Sequence, residues 1–502
     1  MRPSAAIAAI ILAVAALAGS AGAAASAAPA TPAASPVNGT WGPPLPTPGV
    51  ANLIPDSADI GSVWVATTIS CTGPGDCTAG GAYQDTFGDD PDTDQAYVVS
   101  EVNGTWGNAE AVPGTLALNT ALGAATTAVS CSSPGNCAAV GYYAYLHGKA
   151  GAVGVAGFVA SQVNGTWQMA RPVRALSSRA SFAVVNAVSC APATTAAARG
   201  AGPNCVAVGV SRLARPGSAG FVLADVNGTW GTARAVPGLP VTAPGSAAAA
   251  VSCALPGSCS LGGFYHDPRG RQQAFVANEV NGTWGKAQRV PDAAALNEGD
   301  DASVTSLSCP AAGACVAAGY YRTNGNEGEL FVVREVAGRW QHAAQLPGSR
   351  KLITYLGSTI GEVSCASAAT CEVGGTLQTG KSSTRGFLAS ETNGRWGLYV
   401  VPDGLGSSIT GLSCPAPGYC AAGGQRLNSN PDDFPASMMV IDEVAGHWGK
   451  TVSLDNAYIG ATNTISVYAI SCAAPRACGA VGNLAAYHGL PYGVVANETP
   501  VK

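Results

Sequence analysis

Residues 124–167 read AATTAVSCSSPGNCAAVGYYAYLHGKAGAVGVAGFVASQVNGTW. Short segments rich in Val, Tyr, Phe and Trp are separated there by Pro-Gly, Gly-rich and Asn-Gly turns, which is the pattern of short β-strands. Asn164-Gly165 is the strongest hairpin signal, because a type I′ turn needs positive φ at both central residues. The stretch predicts four strands: A ends at Cys131, B starts at Cys137, C ends before Asn-Gly, and D carries the tryptophan.

The same unit occurs eight times along the chain. Each unit has two cysteines near the A–B junction, and the first cysteines of successive units lie 49 to 63 residues apart. Eight of the nine tryptophans keep the same rhythm. The cysteine pairs are Cys71 and Cys77, Cys131 and Cys137, Cys190 and Cys205, Cys253 and Cys259, Cys309 and Cys315, Cys365 and Cys371, Cys414 and Cys420, and Cys472 and Cys478. The tryptophans are Trp41, Trp106, Trp167, Trp230, Trp284, Trp340, Trp396 and Trp448.

A repeat of this length with four antiparallel strands is the sequence signature of a β-propeller blade. The two ends of the repeat array support this interpretation. VNGTWG at Val37 is a strand D with no preceding A to C, and the final GVVANETPVK is a strand C with no following D. The first strand is expected to complete the last blade, which closes the ring and removes exposed sheet edges. We predict an all-β, monomeric, eight-bladed β-propeller of four-stranded antiparallel blades over residues 37–502, closed by its N-terminal strand.

The composition excludes two classes of protein. Only 11% of the 502 residues are charged, and 25 Lys and Arg against 30 Asp and Glu give a net charge of −5. A nucleic-acid-binding protein needs a basic patch, and no basic run occurs, so we expect no nucleic-acid partner. Intrinsic disorder usually needs high charge and low hydrophobicity, whereas 47% of these residues are hydrophobic.

The beginning of the chain has the layout of a secretory signal peptide. The first two residues, MR, give a positive start, residues 5–18 form an apolar run, and ASA at 25–27 provides the small residues of a cleavage site. The apolar run is too short to span a bilayer, and we expect no membrane span elsewhere. The sequence predicts a signal peptide over 1–27, a linker over 28–36 and a secreted, extracellular protein.

The cysteines of each pair are expected to face each other across the A–B turn. Seven pairs are C-x5-C, and the third carries an insertion. Facing positions in a hairpin bring the Cα atoms to about 4.5–5.5 Å, within disulfide range, and export to an oxidising compartment favours the bond. The alternative is zinc, but zinc sites usually use C-x2–4-C with a second ligand pair, and no His recurs with these cysteines. We predict eight disulfides, one in each blade.

The two faces of the predicted ring differ in their loops. In a propeller the A–B and C–D loops share one face, and the B–C and D–A loops share the other. Sequence variation is concentrated here in the B–C and D–A loops, so we expect any ligand to meet that face. Six tyrosines at the end of strand B could stack on a sugar, although packing between blades accounts for them as well. They are Tyr83, Tyr142, Tyr143, Tyr265, Tyr320 and Tyr321.

Three acidic residues are candidate catalytic groups. Glu362 is the only carboxylate at the third position before the first cysteine of a pair, on the strand nearest the axis, where it needs water or a partner. A water-filled channel accounts for it without catalysis. Asp300 and Asp301 precede a strand A and could face the mouth of the channel, although a capped turn accounts for them too. Glycoside hydrolysis would need two such carboxylates around one pocket.

An acidic loop in the first blade is a candidate calcium site. Five aspartates crowd it: Asp85, Asp89, Asp90, Asp92 and Asp94. The Asp90-x-Asp92-x-Asp94 spacing is that of alternating calcium ligands, but the loop lacks the Gly and the terminal Glu of an EF-hand, so a solvated acidic loop is the alternative. We expect that Asp90, Asp92 and Asp94 can bind Ca²⁺, and we expect no other cofactor. Three B–C loop histidines belong to non-adjacent blades, so we expect no shared metal site among them.

Residues 100–106, SEVNGTW, resemble the Asp-box, S-x-D-x-G-x-T-W, of sialidase-type propellers. The motif here is one residue shorter and has Val102 where the box has Asp. RVP at residues 289–291 is similar to the R-I-P segment of those enzymes, but it occupies the ordinary V-P position of strand D. The sialidase catalytic set, an arginine triad with a Tyr–Glu pair and an Asp, has no matching positions. We interpret the chain as a secreted bacterial repeat propeller to which the resemblance assigns no functional residue.

These observations favour a non-enzymatic binding or scaffold protein that recognises an extracellular carbohydrate or protein through its variable loops. No Ser/His/Asp order, phosphate-binding Gly motif or repeated carboxylate pair is present. The alternative is a glycoside hydrolase or lyase that uses acidic residues at the channel mouth. Fold alone does not decide, because propellers carry both kinds of activity. Convergence of two titratable groups on one pocket would favour the enzyme.

Overall fold

Eight antiparallel sheets follow one another along the chain, as the repeat predicts. The computed structural model of the protein describes residues 39–54, 64–84, 94–121, 123–147, 151–176, 183–193, 195, 202–212, 217–241, 244–325, 328–353, 357–392, 394–402, 406–427, 436–454, 466–485 and 491–500. Each sheet is one blade, and its strands run in the order A, B, C, D. The prediction of an all-β, eight-bladed propeller is confirmed.

The strands have the following bounds. The first two are β1 (Gly39–Trp41) and β2 (Leu45–Pro46), and blade 1 contains β3 (Trp64–Gly73), β4 (Asp76–Gln84), β5 (Asp94–Val102), β6 (Thr105–Trp106) and β7 (Glu110–Ala111). Blades 2 and 3 contain β8 (Ala124–Ser133), β9 (Asn136–His147), β10 (Ala152–Val163), β11 (Thr166–Trp167) and β12 (Arg171–Pro172), then β13 (Ala183–Cys190), β14 (Cys205–Arg212), β15 (Ser218–Val226), β16 (Thr229–Trp230) and β17 (Arg234–Ala235).

The later blades repeat this order. Blades 4 and 5 contain β18 (Ser246–Leu255), β19 (Ser258–His266), β20 (Gln272–Val280), β21 (Thr283–Trp284) and β22 (Gln288–Arg289), then β23 (Ala302–Ala311), β24 (Ala314–Arg322), β25 (Gly328–Val336), β26 (Arg339–Trp340) and β27 (Ala344–Gln345). Blades 6 to 8 contain β28 (Thr359–Ser367), β29 (Thr370–Gly380), β30 (Ser383–Thr392) and β31 (Arg395–Val400), then β32 (Ser408–Ala416), β33 (Tyr419–Leu427), β34 (Ala436–Val444), β35 (His447–Trp448) and β36 (Val452–Ser453), then β37 (Ser466–Ala474), β38 (Ala477–Ala485) and β39 (Pro491–Pro500).

Short helical turns occupy some of the D–A connections. They are α1 (Thr115–Leu118), α2 (Ala293–Leu296) and two 3₁₀ turns at Val50–Leu53 and Ser349–Lys351. The sequence showed no helical periodicity here, because a single turn is too short to produce one. None of the helical segments formed by the described residues has the length and apolar run that a bilayer crossing requires.

Strand β1 completes the eighth blade, as the offset ends predict. It pairs antiparallel with β39, with Trp41 opposite Glu498. Next to it, β2 pairs with the same strand, with Leu45 opposite Val495. The first and last described strands of the chain are therefore neighbours in one sheet, and the ring is closed by backbone hydrogen bonds.

Strand D is interrupted in seven of the blades, whereas the sequence suggested one continuous strand. In blade 5, β26 and β27 both pair with β25. Their registers differ by one residue, because Glu335 faces Trp340 whereas Phe331 faces Gln345. Blade 6 is the exception: β31 runs unbroken beside β30. Its segment from Trp396 to the following proline is one residue shorter than in blade 5, so no residue has to bulge out.

A glycine of strand B makes room for the bulge on strand A. In blade 5 strand A is irregular between Val304 and Ser306, and a Cβ on Gly319 would lie 1.9 Å from the Ser303 carbonyl oxygen. Gly319 also faces the fully buried Phe331 on strand C. A side chain at this position would therefore meet backbone, which cannot give way. The equivalent glycines are Gly81, Gly141, Gly209, Gly263, Gly375, Gly424 and Gly482.

The hydrophobic core lies between the blades. Each buried cluster combines one face of a sheet with the facing side of the next; Val276 of blade 4, for example, belongs to one cluster with Val304, Phe331 and Trp340 of blade 5. Burial of apolar surface at about 25 cal/mol per Å² makes these contacts the main favourable term holding neighbouring blades together. No blade has a complete core without its neighbour.

All sixteen cysteines form the eight predicted disulfides, so the prediction of disulfides rather than zinc is confirmed. Each bond joins strands A and B of one blade. The Cα–Cα separations are between 3.9 and 4.1 Å, as for Cys131–Cys137 at 3.9 Å and Cys414–Cys420 at 4.1 Å. The other bonds are Cys71–Cys77, Cys190–Cys205, Cys253–Cys259, Cys309–Cys315, Cys365–Cys371 and Cys472–Cys478.

Two expectations about the cysteines need correction. Facing residues of a hairpin usually have Cα atoms about 4.5–5.5 Å apart. The Cα atoms of each cysteine pair are closer than that, because the disulfide draws the two strands together next to the turn. In seven blades strands A and B also continue past the disulfide, since residues of the turn still pair, as Gly73 does with Asp76. Strand B therefore begins one residue before the second cysteine, except in blade 3, where it begins at Cys205. The second cysteines of the seven blades are Cys77, Cys137, Cys259, Cys315, Cys371, Cys420 and Cys478.

A ring of hydrogen bonds connects the eight inner strands. The serine before the first cysteine of each blade accepts, through Oγ, the backbone N–H of the equivalent cysteine in the next blade. In blades 4 and 5, Ser252 Oγ accepts from Cys309 N at 3.0 Å. The ring closes where Ser471 of blade 8 accepts from Cys71 of blade 1 at 2.9 Å. The other six bonds join Ser70 to Cys131, Ser130 to Cys190, Ser189 to Cys253, Ser308 to Cys365, Ser364 to Cys414 and Ser413 to Cys472.

Removal of one hydroxyl from this ring should destabilise the fold. Ser308→Ala leaves the buried N–H of Cys365 without its acceptor, and an unsatisfied buried donor costs about 1–3 kcal/mol. We expect a decrease of that size in the free energy of unfolding, measured by denaturant titration of the oxidised protein. Ser258→Ala, at a half-buried serine outside the ring, should change it by less than about 0.5 kcal/mol. Equal losses in the two variants would contradict a special role for the ring.

Candidate functional site

The loop face between blades 4 and 5 carries a hydrogen-bonded group of polar side chains. Gln272, the first residue of β20, donates its amide to Asp301 Oδ1 at 2.7 Å. Tyr320, near the end of β24, donates its hydroxyl to the same oxygen at 3.2 Å. Arg322 forms an ion pair with Asp301 Oδ2 at 3.0 Å. All four residues are partly exposed, so this group, the Asp301 cluster, is fixed by the fold and reachable from solvent.

A buried asparagine positions the cluster. Asn297, 4% exposed, follows helix α2. Its Oδ1 accepts the backbone N–H of Asp301 at 2.8 Å, and its Nδ2 donates to the carbonyl of Gln272 at 2.9 Å. One side chain thus ties the D–A connection to the start of strand C. Asn119 does the same between blades 1 and 2, where its Nδ2 donates to the carbonyl of Asp94 at 3.0 Å.

Tyr320 is held in its protonated form. Burial, and next the negative charge of Asp301, raises the pKa of Tyr320 to about 12. The phenol therefore keeps its proton at neutral pH and donates it to Asp301, while its oxygen lies 3.2 Å from Nε2 of Gln272. The hydrogen bonds of Tyr320 and Gln272 to Asp301 therefore each have one donor and one acceptor that do not exchange roles. A ligand would meet polar groups whose donor or acceptor character is already set.

The B–C loop of blade 4 adds charge beside the Asp301 cluster. Arg271 Nε donates to Asp267 Oδ2 at 2.8 Å and lies 3.9 Å from Asp300 Oδ1. Asp300 has a φ of 61°, in the left-handed region that Asp tolerates better than most residues. Two guanidinium groups and three carboxylates thus lie together on this part of the loop face. Such a mixture of donors and acceptors suits a ligand rich in hydroxyl groups.

The six predicted tyrosines differ in how deeply they are buried. Tyr83, Tyr143 and Tyr321 are 3%, 8% and 4% exposed and belong to the cores between blades. Their rings are enclosed by neighbouring side chains, so stacking on a sugar is not available to these three. Tyr142, Tyr265 and Tyr320 are half-buried. The expectation of a ligand-stacking surface therefore narrows to the second group.

Glu362 lies in a different environment from Asp300 and Asp301. It is 1% exposed on β28, the inner strand of blade 6, and its Oε2 accepts the backbone N–H of Leu412 in blade 7 at 3.0 Å. Thr68 and Ser306 occupy the equivalent position in blades 1 and 5. Each also accepts a backbone N–H of the next blade, from Val129 and Val363 respectively. Glu362 thus extends the hydrogen bonding between inner strands. The three acidic candidates do not share one pocket in the described structure.

The expected calcium ligands are only partly described. Asp90 and Asp92 lie outside the described residues, whereas Asp94 begins β5. Of the three loop histidines, His488 is also outside the described residues, and His147 and His266 end different strands in blades 2 and 4. Within the described ranges, no three His, Cys, Asp or Glu residues are arranged to hold a metal ion. Calcium binding through Asp90, Asp92 and Asp94 stays a prediction.

Calorimetric titration with roughly millimolar Ca²⁺ tests that prediction, because extracellular calcium sites are weak, with dissociation constants of about 10⁻⁴–10⁻³ M. We expect a saturable heat of binding that Asp90→Ala and Asp92→Ala abolish. Asp267→Asn, in another B–C loop, serves as the control and should leave it unchanged. A titration of the unmutated protein without heat means that the loop is merely solvated.

The opposite face, formed by A–B and C–D turns, carries a second repeated structure that the sequence analysis missed. At the strand C position opposite the tryptophan of strand D, seven blades have a carboxylate and one has glutamine, all 7% exposed or less. We call these residues the acidic ring. They are Glu101, Gln162, Asp225, Glu279, Glu335, Glu391, Glu443 and Glu498.

At four junctions the residue before one member of the acidic ring donates a hydrogen bond to the acid of the next blade; the donors are Asn497, Ser161, Asn278 and Arg334. Asn278 of blade 4 donates to Glu335 of blade 5 and also accepts from Trp340 Nε1 at 2.8 Å. Ser161 of blade 2 donates to Asp225 of blade 3 at 2.5 Å. At these junctions the acid therefore depends on a side chain from the preceding blade. The signal was present in SEVNGTW and its repeats, but only the packing of neighbouring blades shows which residue supplies the donor.

Three acids of the ring lack this donor: Ser390 donates to Glu372 rather than to Glu443, Asp442 carries no donor for Glu498, and the third acid is Glu279. Ala224 of blade 3 stands where Ser161 and Asn278 stand in their blades, so it offers nothing to Glu279 of blade 4. Glu279 Oε2 is buried without a hydrogen-bond partner among the described residues. Burial raises the pKa of Glu279 accordingly.

The acidic ring should make the protein more stable in mild acid. Burial raises the pKa of Glu443 to about 6, above that of an unfolded glutamate, so the folded protein binds this proton more tightly. The resulting stabilisation is complete below about pH 4.5 and is lost as pH rises through 6. We expect a higher free energy of unfolding at pH 5 than at pH 7.5, with Glu443→Gln reducing the difference by about 1 kcal/mol. Glu298→Gln, at an exposed acid, should not reduce it; identical pH profiles in all three proteins would refute this assignment.

Comparisons with known proteins give fold likeness only. No family model and no curated protein matches the chain. Among solved structures, it is similar to the β-propeller domain of the trilobed protease from Pyrococcus furiosus, at 8% identity and a TM-score of 0.41 over 78% of this chain and 98% of that one. It is also similar to an ulvan lyase, a polysaccharide lyase, at 10% identity and a TM-score of 0.42 over 83% of this chain and 98% of that one.

A third similar structure is a subtype N11 neuraminidase-like protein of a flat-faced bat isolate from Peru. The identity is 10% and the TM-score 0.36, over 96% of each chain. These values describe a low overall similarity in all three cases. No residue of the Asp301 cluster or the acidic ring receives a role from them.

Proposed function

We propose that the protein is a secreted, non-enzymatic binding propeller that recognises an extracellular carbohydrate through the loop face between blades 4 and 5. The observation that carries the proposal is the Asp301 cluster, in which a carboxylate, an amide, a phenol and a guanidinium are fixed at strand ends while remaining partly exposed. Rigid polar groups beside half-buried aromatic rings are the usual elements of a site that orients a ligand.

Charge and hydrogen-bond direction favour a hydroxylated ligand. The carboxylate of Asp301 is neutralised by Arg322 and by two hydrogen bonds, so the site has little net charge to attract an ion. Guanidinium and carboxylate groups can donate to and accept from sugar hydroxyls. The half-buried Tyr265 and Tyr320 supply apolar surface nearby. The alternative within this proposal is a protein ligand that binds the same loops.

Secretion is part of the proposal. The signal-peptide pattern of residues 1–27 and the eight disulfides support an oxidising, extracellular location. Disulfides that close short loops in every blade suit a protein that has to persist outside the cell.

A glycoside hydrolase or lyase receives less support from the same residues. Paired catalytic carboxylates flank one scissile bond, at most about 9.5 Å apart. Asp301 is paired with Arg322 at the loop face, whereas Glu362 is buried and bonded to the backbone of Leu412. Asp300 lies beside Asp301, but each of these two carboxylates is near a guanidinium of the chain, Arg271 at 3.9 Å and Arg322 at 3.0 Å, and Glu362 shares no substrate position with either.

A glycan array followed by calorimetry tests the proposal. We expect the purified protein to bind a subset of glycans, and Asp301→Ala and Arg322→Ala each to weaken binding at least about tenfold, since a hydrogen bond to a charged group contributes about 1.5–3 kcal/mol. Arg339→Ala, at an exposed arginine on the opposite face, should bind normally.

Thermal unfolding of each variant separates loss of the site from loss of the fold. Unchanged affinity in folded Asp301→Ala and Arg322→Ala would place the ligand elsewhere on the propeller. Cleavage of a bound glycan, detected by product analysis, would support the enzyme instead.

A further inference from the structure

A cleft opens between blades 8 and 1 on the face of the A–B and C–D turns. Its volume is about 250 Å³, and its lining includes Glu101 and Asn103 of blade 1 and Asn497, Glu498 and Thr499 of blade 8. It lies where the ring closes, next to strand β39. This face is opposite the Asp301 cluster, so the cleft is separate from the proposed carbohydrate site.

Glu101 contributes a buried carboxylate to the cleft. No cationic side chain among the described residues forms an ion pair with it. The residue is 3% exposed, and its Oε1 accepts from Asn497 Nδ2 at 2.5 Å. Its other oxygen, Oε2, has no hydrogen-bond partner among the described residues. Burial raises the pKa of Glu101, the hydrogen bond from Asn497 opposes that rise, and the charge of Asp76 adds to it. A carboxylate in this state is stabilised by any donor that reaches Oε2.

At two other junctions the protein fills the corresponding place with its own guanidinium. Arg334 of blade 5 binds Glu391 of blade 6 and also donates to the carbonyl of Ala368. Arg476, from the A–B turn of blade 8, lies between Asp442 at 3.2 Å and Glu498 at 2.9 Å. Arg334 thus reaches from blade 5 to two acceptors of blade 6, and Arg476 bridges acceptors of blades 7 and 8.

Arg334 and Asn497 occupy equivalent positions of the repeat. Arg334 and Asn497 both precede a member of the acidic ring in strand C, and both reach the acid of the following blade. Arg334 supplies a long cationic side chain, whereas Asn497 supplies a short neutral one. The shorter side chain leaves the negative charge of Glu101 uncompensated within the described part of the cleft.

We propose that the cleft between blades 8 and 1 binds a guanidinium or primary ammonium group from outside the chain, with Glu101 as its principal partner. Such groups are donors only and match a site whose free atom is a carboxylate oxygen. The group could be carried by a small organic cation or by an arginine or lysine side chain of a polypeptide. Both sources share the same chemistry at Glu101.

Calorimetric titration with L-arginine amide tests the proposal, and L-citrulline amide is its neutral isostere. We expect saturable binding of arginine amide and at least tenfold weaker binding of citrulline amide. Glu101→Gln keeps the shape of the side chain, removes the charge and should weaken arginine amide at least tenfold. Glu110→Gln, at an exposed acid of the same blade, is the matched control and should bind as the unmutated protein does.

A second variant fills the site instead of removing its charge. Asn497→Arg places a guanidinium at the position equivalent to Arg334, so it should abolish binding of arginine amide and raise the melting temperature. This variant keeps the test decisive even if Glu101→Gln unfolds. No binding of arginine amide at millimolar concentration, equal binding of citrulline amide, or full binding by folded Glu101→Gln or Asn497→Arg would overturn the proposal.

A Gly-Gly-Arg-Gly-Gly peptide with blocked ends distinguishes the two sources. Binding equal to or tighter than that of arginine amide indicates a polypeptide-borne arginine. Binding of the free amide alone indicates a small cation. Both results support the cation site, and neither depends on whether a glycan binds the opposite face.

Discussion

The hydrogen bond from a cysteine N–H to the serine of the preceding blade sets the geometry of the whole ring. It occurs at all eight junctions, including the one between Ser471 and Cys71. Inner strands of neighbouring propeller blades are not paired in a sheet, so this contact fixes their relative height along the axis. Because the same cysteine also forms the disulfide of its blade, each Ser-Cys dipeptide couples the position of one blade to the internal structure of the next.

Above and below this ring the two faces differ in how they are constrained. On one face, the A–B turn is tied to the C–D turn of the same blade by a backbone bond, such as Gly338 N to the carbonyl of Gly313 at 3.0 Å. That face repeats closely apart from the longer A–B turn of blade 3, and the other differences described above are single side chains, such as Ala224. On the other face the loops vary in length, and the Asp301 cluster is built from side chains that occur together only between blades 4 and 5. Individual binding chemistry arises there because these loops differ in length and sequence from blade to blade.

Much of the fold could be read from the sequence, because cysteines, tryptophans and Asn-Gly turns mark each blade at a fixed spacing. The offset ends identified the closing strand for the same reason. The interruption of strand D escaped the pattern, since it depends on one extra residue between Trp340 and the next proline. Tyrosine positions were identified, but strand alternation separates Tyr320 from the buried Tyr321, and the two were treated alike.

The candidate sites were less predictable than the fold. Asp301 was identified from its place before strand A, but its partners Gln272 and Arg322 come from two different strands of two blades. Glu101 appears in the sequence as an ordinary residue before Val-Asn-Gly. Its surroundings depend on the cleft where the ring closes and on which residue the eighth blade offers there, and linear spacing carries no information about that contact.

The pairing of β1 with β39 has a consequence for the order in which the molecule folds. Most hydrogen bonds of the blades join segments near each other in the chain, and such local contacts form quickly. Gly39 and Pro500 are opposite each other in the last sheet, so this contact closes a loop that includes nearly every blade. The entropy lost on closure increases with the logarithm of loop length, and much of it is already lost once the intervening blades have stacked. We therefore expect closure to be the last step of assembly, with β39 presenting until then an open edge on which another chain can pair.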